Sequence, residues 1–229
     1  MLIGGIQKLS LTDYPGKLAA IIFVQGCPLR CQFCHNPSLV LPPLYSTLIP
    51  FEEILHFLTQ RKNDLEGVVI SGGEPTSQND LFEAVSQIKA LGYAVKLDTA
   101  GTNPASVEKL LKARLIDYIA MDIKAPLEKY EAVVKTKVDP AIILQSIRLI
   151  LQAPVAKEFR TTLVQGLHEK EDVLEMVRLI KGETLYVLQK FVNQAPLNPF
   201  FKSKTTFDDE TLFSLQKEAE KYVTACLIK

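Results

Sequence analysis

The sequence predicts an α/β fold built on a parallel sheet. Strand-like and helix-like stretches alternate six times with short connections, which calls for parallel strands joined by right-handed crossovers. The first strand-like stretch, at Ala19–Gln25, is a continuous apolar, β-branched run, as in strands covered on both faces. Six units are too few to close an eight-stranded barrel. They form either an open, partial barrel with a lateral gap or a doubly wound sheet, and periodicity alone does not choose between the two.

Each element has its own warrant. Residues 1–18 mix apolar and turn residues, and Asp13-Tyr14-Pro15-Gly16 is a turn signal, so a short strand pair or hairpin is expected first. The first strand of the sheet is Ala19–Gln25, stopped by Gly26. From Pro50 onward Phe51, Ile54, Leu55 and Leu58 recur at helical spacing. The second strand, Gly67-Val68-Val69-Ile70, runs into Ser71-Gly72-Gly73-Glu74-Pro75. A helix over about Asn79–Leu91 is capped by Gly92. Strand three, Tyr93–Asp98, leads into Thr99-Ala100-Gly101, then a helix from Pro104 to about Ala113 with proline in its first turn. Strand four, Tyr118–Ile123, carries Asp122 and Lys124 at its end. A helix over Pro140–Gln152, strand five over Glu158–Val164, a helix over Lys170–Lys181 and strand six over Leu185–Phe191 follow. A last helix is expected over about Asp208–Cys226, opened by an acidic pair that suits the helix dipole.

At 229 residues the chain can bury a sizeable core, and residues 1–229 are read as a single domain. Lys plus Arg (26) balances Asp plus Glu (26), which argues against electrostatic capture of nucleic acid or an anionic membrane. No secretory leader pattern and no run of eighteen apolar residues is present, so a soluble cytoplasmic protein is expected. Clustered thiols in that compartment read as metal ligands rather than disulfides.

Three of the four cysteines fall in Cys27-Pro28-Leu29-Arg30-Cys31-Gln32-Phe33-Cys34, spaced C-x3-C-x2-C; Cys226 stands apart and reads as an inert core thiol. A structural zinc site closes with four ligands, and a fully protein-ligated cubane wants four thiolates. Three thiolates leave one iron of a [4Fe–4S] cluster open, and an open metal position is where a substrate or cofactor binds. His35 as a fourth zinc ligand would adjoin Cys34 directly, too close in sequence to close on the same ion. Ordinary buried cysteines and a zinc site are the competing readings. Arg30 reads equally well as solvent-facing.

With Phe33 before the last thiol, the loop resembles the cluster loop of radical S-adenosylmethionine (SAM) enzymes. Its extension Cys34-His35-Asn36-Pro37 resembles, more narrowly, the glycyl-radical-enzyme activases. The opening Ile3-Gly4-Gly5-Ile6-Gln7-Lys8 through Asp13-Tyr14-Pro15-Gly16-Lys17 resembles the longer type of anaerobic ribonucleoside-triphosphate reductase activating protein. The resemblance implies the partial (β/α)6 barrel. It implies that a reduced [4Fe–4S] cluster on Cys27, Cys31 and Cys34 binds SAM at its open iron. An electron from a flavodoxin- or ferredoxin-type donor then cleaves SAM to methionine and a 5′-deoxyadenosyl radical. That radical takes hydrogen from a glycine of a partner enzyme, by resemblance the anaerobic ribonucleotide reductase. A pyruvate formate-lyase activase, a radical SAM enzyme acting on a small molecule, and a non-catalytic cluster or zinc module are the alternatives.

The same resemblance assigns residues. Gly72-Gly73-Glu74 would pair with the amino group of SAM, the Glu74 carboxylate supplying an acceptor; taken alone the segment is a strand-to-helix turn needing positive φ. Asp98 and Thr99 match the family's D-T-x-G, with Ala100 where many activases have Asn; an Asx turn is the other reading. Asp122 and Lys124 match D-x-K and, with Asp98, would surround the SAM carboxylate and ribose, some activases also holding a monovalent cation between the aspartates; a solvated ion pair is the other reading. Phe33 belongs with the cofactor by its place in the loop. Arg160, charged among β-branched neighbours, needs a partner if it points inward, and the resemblance offers SAM. Asp13, Pro15, Gly16, His35 and Asn36 would face the substrate; capping the barrel floor is the alternative for the N-terminal three. Because every motif but the N-terminal one follows a strand, they share the rim at the carboxyl ends of the parallel strands.

Overall fold

The computed structural model describes residues 1–229, the Glu183 side chain excepted. Eight strands form one sheet in sequential order: β1 (Ile3–Ser10), β2 (Ala19–Val24), β3 (Gly67–Gly72), β4 (Ala94–Thr99), β5 (Tyr118–Asp122), β6 (Ala156–Leu163), β7 (Gly182–Lys190) and β8 (Val223–Ile228). β1 runs antiparallel to β2, and every later neighbour pair is parallel. The sequential order decides the choice left open above. A doubly wound sheet reverses its order at a switch point, whereas unbroken right-handed crossovers all step the same way and curl the sheet around an interior. Among the described residues no ladder joins β1 to β8, so the barrel is open.

The helices are α1 (Pro37–Val40), α2 (Phe51–Gln60), α3 (Leu81–Ala90), α4 (Pro104–Lys112), α5 (Tyr130–Val134), α6 (Pro140–Gln152), α7 (Lys170–Leu179) and α8 (Asp209–Ala219). Local chemistry starts them where the sequence says: the side chains of Asn103, Asp139 and Asp208 each accept an N–H of the first turn, and Glu169 with Asp172 closes a capping box on α7. No helix is long and apolar enough to cross a membrane.

Strand pleating sorts side chains between two faces. One set, including Ile22, Ile70, Leu97, Met121 and Phe159, packs in the large core beneath the helices. The alternate set faces the barrel interior. At its floor Tyr14, Ala19, Ile21, Val69, Tyr118 and Ala120 form a small apolar cluster.

The expected N-terminal hairpin is present: β1 pairs antiparallel with β2, and Tyr14–Lys17 is the turn between them, closed by the Lys17 N–H on the Tyr14 carbonyl at 3.1 Å with Gly16 at φ +74°. One expectation changes. The last helix stops at Ala219, and Val223–Ile228 returns as β8 beside β7, so Cys226 is a buried strand residue rather than a helical one.

Candidate active site

The cysteine loop leaves the carboxyl end of β2 and is tied on three sides by main-chain bonds. Gly26 donates to the Leu39 carbonyl (2.8 Å) and Arg30 to that of Val134 at the end of α5 (2.9 Å); Leu197 and Asn198 donate to Cys34 (2.7 Å) and Gln32 (2.9 Å). The Arg30 guanidinium folds back onto the carbonyls of Cys27 and Leu29, so it braces the loop while staying half-buried.

Glycine is required where β3 meets this loop. Gly72 sits at φ +113°, and a Cβ there would lie 2.5 Å from the Val24 nitrogen; a Cβ on Gly73 would lie 2.1 Å from the Gly26 carbonyl oxygen. The pair lets the end of β3 press against the base of the cysteine loop, where Glu74 N–H bonds the same Gly26 carbonyl at 2.8 Å.

Inside the barrel mouth the charges alternate in sign. Lys96 lies 2.7 Å from Asp98, Asp98 3.3 Å from Arg160, Arg160 2.7 Å from Asp122, and Asp122 3.0 Å from Lys124. Ser71 donates to Asp98 at 3.1 Å, and Glu158 stands within 4 Å of both Lys96 and Arg160. Burial works to raise the Asp122 pKa, but Arg160 and Lys124 outweigh it and hold the carboxyl well below the usual range. Burial likewise disfavours charge on Lys124, and Asp122, then Cys31, restore it.

One cavity of about 270 Å³ is lined by Cys27, Cys31 and Cys34 at one end and by Asp98, Asp122, Lys124 and Arg160 along its wall. Phe33, Gly72, Gly73, Thr99, Asp13, His35 and Asn36 also line it. Thirteen residues assigned from the strand-end motifs and the cysteine loop are thereby gathered with Asp13 from the turn before β2. Three assigned residues stand elsewhere. Pro15 and Gly16 form the turn at the amino ends of the strands and line no part of it. Glu74 is fully buried behind the wall and its carboxylate is occupied: it accepts from the Thr76 N–H (3.0 Å) and hydroxyl (2.6 Å), the Thr99 hydroxyl (2.8 Å) and the Ala100 N–H (2.6 Å). Burial pushes its pKa up and these donors pull against it. Glu74 therefore clasps the loop after β3 to that after β4.

Sequence reasoning passed over several members. Thr162 and Gln189 line the cavity, their side chains bonded at 3.3 Å. The spacing Glu158, Arg160, Thr162 on one face of a β-branched strand was the available signal. Lys96, only 1 % exposed on β4, was another. His168 is buried against Phe33 (6.1 Å between ring centres); its Nδ1 accepts from Val164 N–H and its Nε2–H donates to the Lys124 carbonyl at 2.9 Å, a tautomer forced by those partners. Burial lowers the His168 pKa, which keeps that ring neutral.

The thiols suit a multi-iron group. Burial raises Cys27 to about 12 and Cys31 to about 11, so binding of a metal centre to these sulfurs would release their protons. Among the described residues no three His, Cys, Asp or Glu side chains converge as ligands of a single ion would; a cubane takes its thiolates on separate irons.

Comparison with known proteins agrees with this geometry. Residues 21–180 match the model of the radical SAM superfamily. A Methanocaldococcus jannaschii protein described as a glycyl-radical enzyme activating enzyme is 36% identical over 233 aligned residues, covering 100% of this chain and 95% of that protein. The pyruvate formate-lyase-activating enzyme of Listeria monocytogenes is 34% identical over 53% of this chain and 52% of its own length. In fold, the chain resembles Streptococcus suis SuiB bound to S-adenosylmethionine, with a TM-score of 0.68, 17% identity, and coverage of 91% of this chain and 51% of SuiB. It also resembles TYW1 with a lysine-pyruvate adduct bound, at a TM-score of 0.60, 18% identity, and coverage of 89% and 73%. The chain thus spans about half of SuiB and aligns with about half of the Listeria enzyme. The chain belongs to the radical SAM superfamily, and within it to the glycyl-radical-enzyme activating enzymes. Members of the superfamily use a [4Fe–4S] cluster and SAM.

Proposed function

We propose that this chain is the cytoplasmic activase of an anaerobic ribonucleoside-triphosphate reductase, acting as one domain. The observation that carries the reading is the meeting of three open-ended thiols and a wall of paired charges in one cavity, on a chain whose motifs and full-length relative are of the activase kind. When bound, a reduced cluster and SAM supply the deoxyadenosyl radical that takes hydrogen from a glycine Cα. Cys27, Cys31 and Cys34 hold the cluster. The strand-end main chain at Gly72 and Gly73 offers carbonyl acceptors to the SAM ammonium, and Phe33 packs beside the cofactor. Lys124, held by Asp122 and by His168 through its carbonyl, presents a point charge to the SAM carboxylate. Asp98, Thr99 and Arg160 complete that wall, and any monovalent cation would compete there with the bridging Arg160 guanidinium.

Asp13, His35 and Asn36 lie toward the glycine. A second cavity of about 420 Å³ shares His35, Thr162 and Gln189 with the first and continues past Lys190, Val192 and Gln194. It offers a backbone segment a route to the reacting centre, which favours a polypeptide over a metabolite as substrate. The electron comes from a flavodoxin- or ferredoxin-type donor. The Listeria relative supports a second reading, in which pyruvate formate-lyase is the partner.

The test is anaerobic EPR on reduced, reconstituted protein with SAM, mixed in turn with the reductase, the lyase and free nucleotides. A glycine-centred doublet on the reductase is expected. A doublet on the lyase alone promotes the second reading, and deoxyadenosine with no doublet on either refutes both.

A further inference from the structure

His168 lies between β6 and α7 and is 1 % exposed. Its ring joins three loops. Nδ1 accepts from the Val164 N–H of its own loop at 3.1 Å, and Nε2–H donates to the Lys124 carbonyl after β5 at 2.9 Å. Its plane crosses that of Phe33, from the cysteine loop, at 73°. The second bond falls where the sheet stops holding the chain. Ile123 is still held at both ends, its N–H on the Arg160 carbonyl (2.8 Å) and its carbonyl by the Thr161 hydroxyl (2.9 Å). Lys124 is the next residue, beyond those two bonds, and its carbonyl is taken by His168. Its ammonium meets Asp122 at 3.0 Å on the wall of the first cavity. A flexible four-carbon stem is thus fixed by a main-chain bond at one end and an ion pair at the other, so less freedom is lost when an anion binds.

We propose that His168 is a positioning residue for cofactor binding, its bond to the Lys124 carbonyl holding the Lys124 ammonium where the SAM carboxylate arrives. The proposal rests on Lys124 presenting its charge to SAM. A purely structural His168 would act through its other bond, the one to Val164 that closes the turn before α7. The two nitrogens can be separated by substitution. Asparagine places an acceptor where Nδ1 stands and nothing at Nε2. Glutamine places a donor where Nε2 stands and nothing at Nδ1.

The experiment is anaerobic equilibrium dialysis of labelled SAM against reconstituted wild-type protein, His168→Asn, His168→Gln, Lys124→Ala and the His168→Asn/Lys124→Ala double variant, with iron content measured first. Lys124→Ala should keep its iron and bind SAM ~10-fold or more weakly, as for a lost charge-assisted contact. His168→Asn should weaken SAM about fivefold, the scale of one hydrogen bond, and His168→Gln should stay within about twofold of wild type. In the double variant the loss should be no greater than in Lys124→Ala alone, because His168 acts through Lys124. Wild-type affinity in Lys124→Ala refutes the role of Lys124 and this proposal with it. A weakened Lys124→Ala beside an unweakened His168→Asn refutes only the role of His168, and so do losses that add in full in the double variant. If His168→Asn fails to hold iron, His168→Gln decides, and a fivefold loss there, with the donor kept, overturns the proposal.

Discussion

Replacing Glu74 by Gln separates its two readings, cofactor ligand and buried clasp. The carboxylate accepts four hydrogen bonds, two of them from the main-chain N–H groups of Thr76 and Ala100, which can only donate. Oε1 takes three of the donors and Oε2 takes Ala100 N–H. A glutamine best keeps its oxygen at the three-donor position, which turns its NH2 against the Ala100 N–H. That loses a charge-assisted bond, ~1.5–3 kcal/mol, and leaves a buried N–H facing a donor, ~1–3 kcal/mol. The sum is about 2.5–6 kcal/mol, a large share of a typical domain's stability. Urea unfolding of the cluster-free protein measures it directly. If Glu74 instead served SAM, the cluster-free stability would be nearly unchanged and only SAM affinity would fall. A stability loss under about 1 kcal/mol would refute the clasp.

The cluster-free protein should weaken in alkali. Cys27, Cys31 and Cys226 are raised by burial from 9.0 to about 12, 11 and 12, so above pH 9 the unfolded chain releases protons that the folded one keeps. Stability then falls by ~1.4 kcal/mol per pH unit for each thiol; a flat urea midpoint between pH 9 and 10.5 would contradict this. Cys226→Ala should retain full iron on reconstitution, since Cys226 sits in β8 and lines neither cavity; iron lost in that variant alone would overturn the three-thiol assignment. Leu197→Pro removes the N–H that holds the Cys34 carbonyl, and iron should leave that variant several-fold faster under a chelator, with an unchanged rate as the contrary result.

Local chemistry explains what was legible. Runs such as Ala19–Val24 and Tyr118–Met121 are apolar at every position, so their strand character does not depend on partners, and the motifs that follow them fall on the shared rim. β8 was not legible because Leu212, Leu215, Ala219, Val223 and Cys226 keep helical spacing straight through Glu220 and Lys221. Pairing of Ala225 and Cys226 with Leu185 and Tyr186 overrides that pattern, as tertiary context overrides propensity. Glu74 shows the complementary failure. Its motif marks the right place, but convergence of donors from residues 76, 99 and 100 is a fact of folding, invisible in Gly-Gly-Glu-Pro.

The charged wall joins both lessons. Asp98, Asp122 and Arg160 were each visible as strand-end or strand-interior charges, while Lys96 and Glu158 drew no notice. Their pairing makes the wall work as a unit: each carboxylate has a cation from a neighbouring position, and Arg160 bridges the ends of β4 and β5 from β6. Removing one member of such a buried set leaves its partner uncompensated, at roughly 3–5 kcal/mol where burial is complete and less at this partly open mouth. The charges of the wall are therefore held in place before any ligand arrives, and little reordering of side chains is needed when a charged ligand enters.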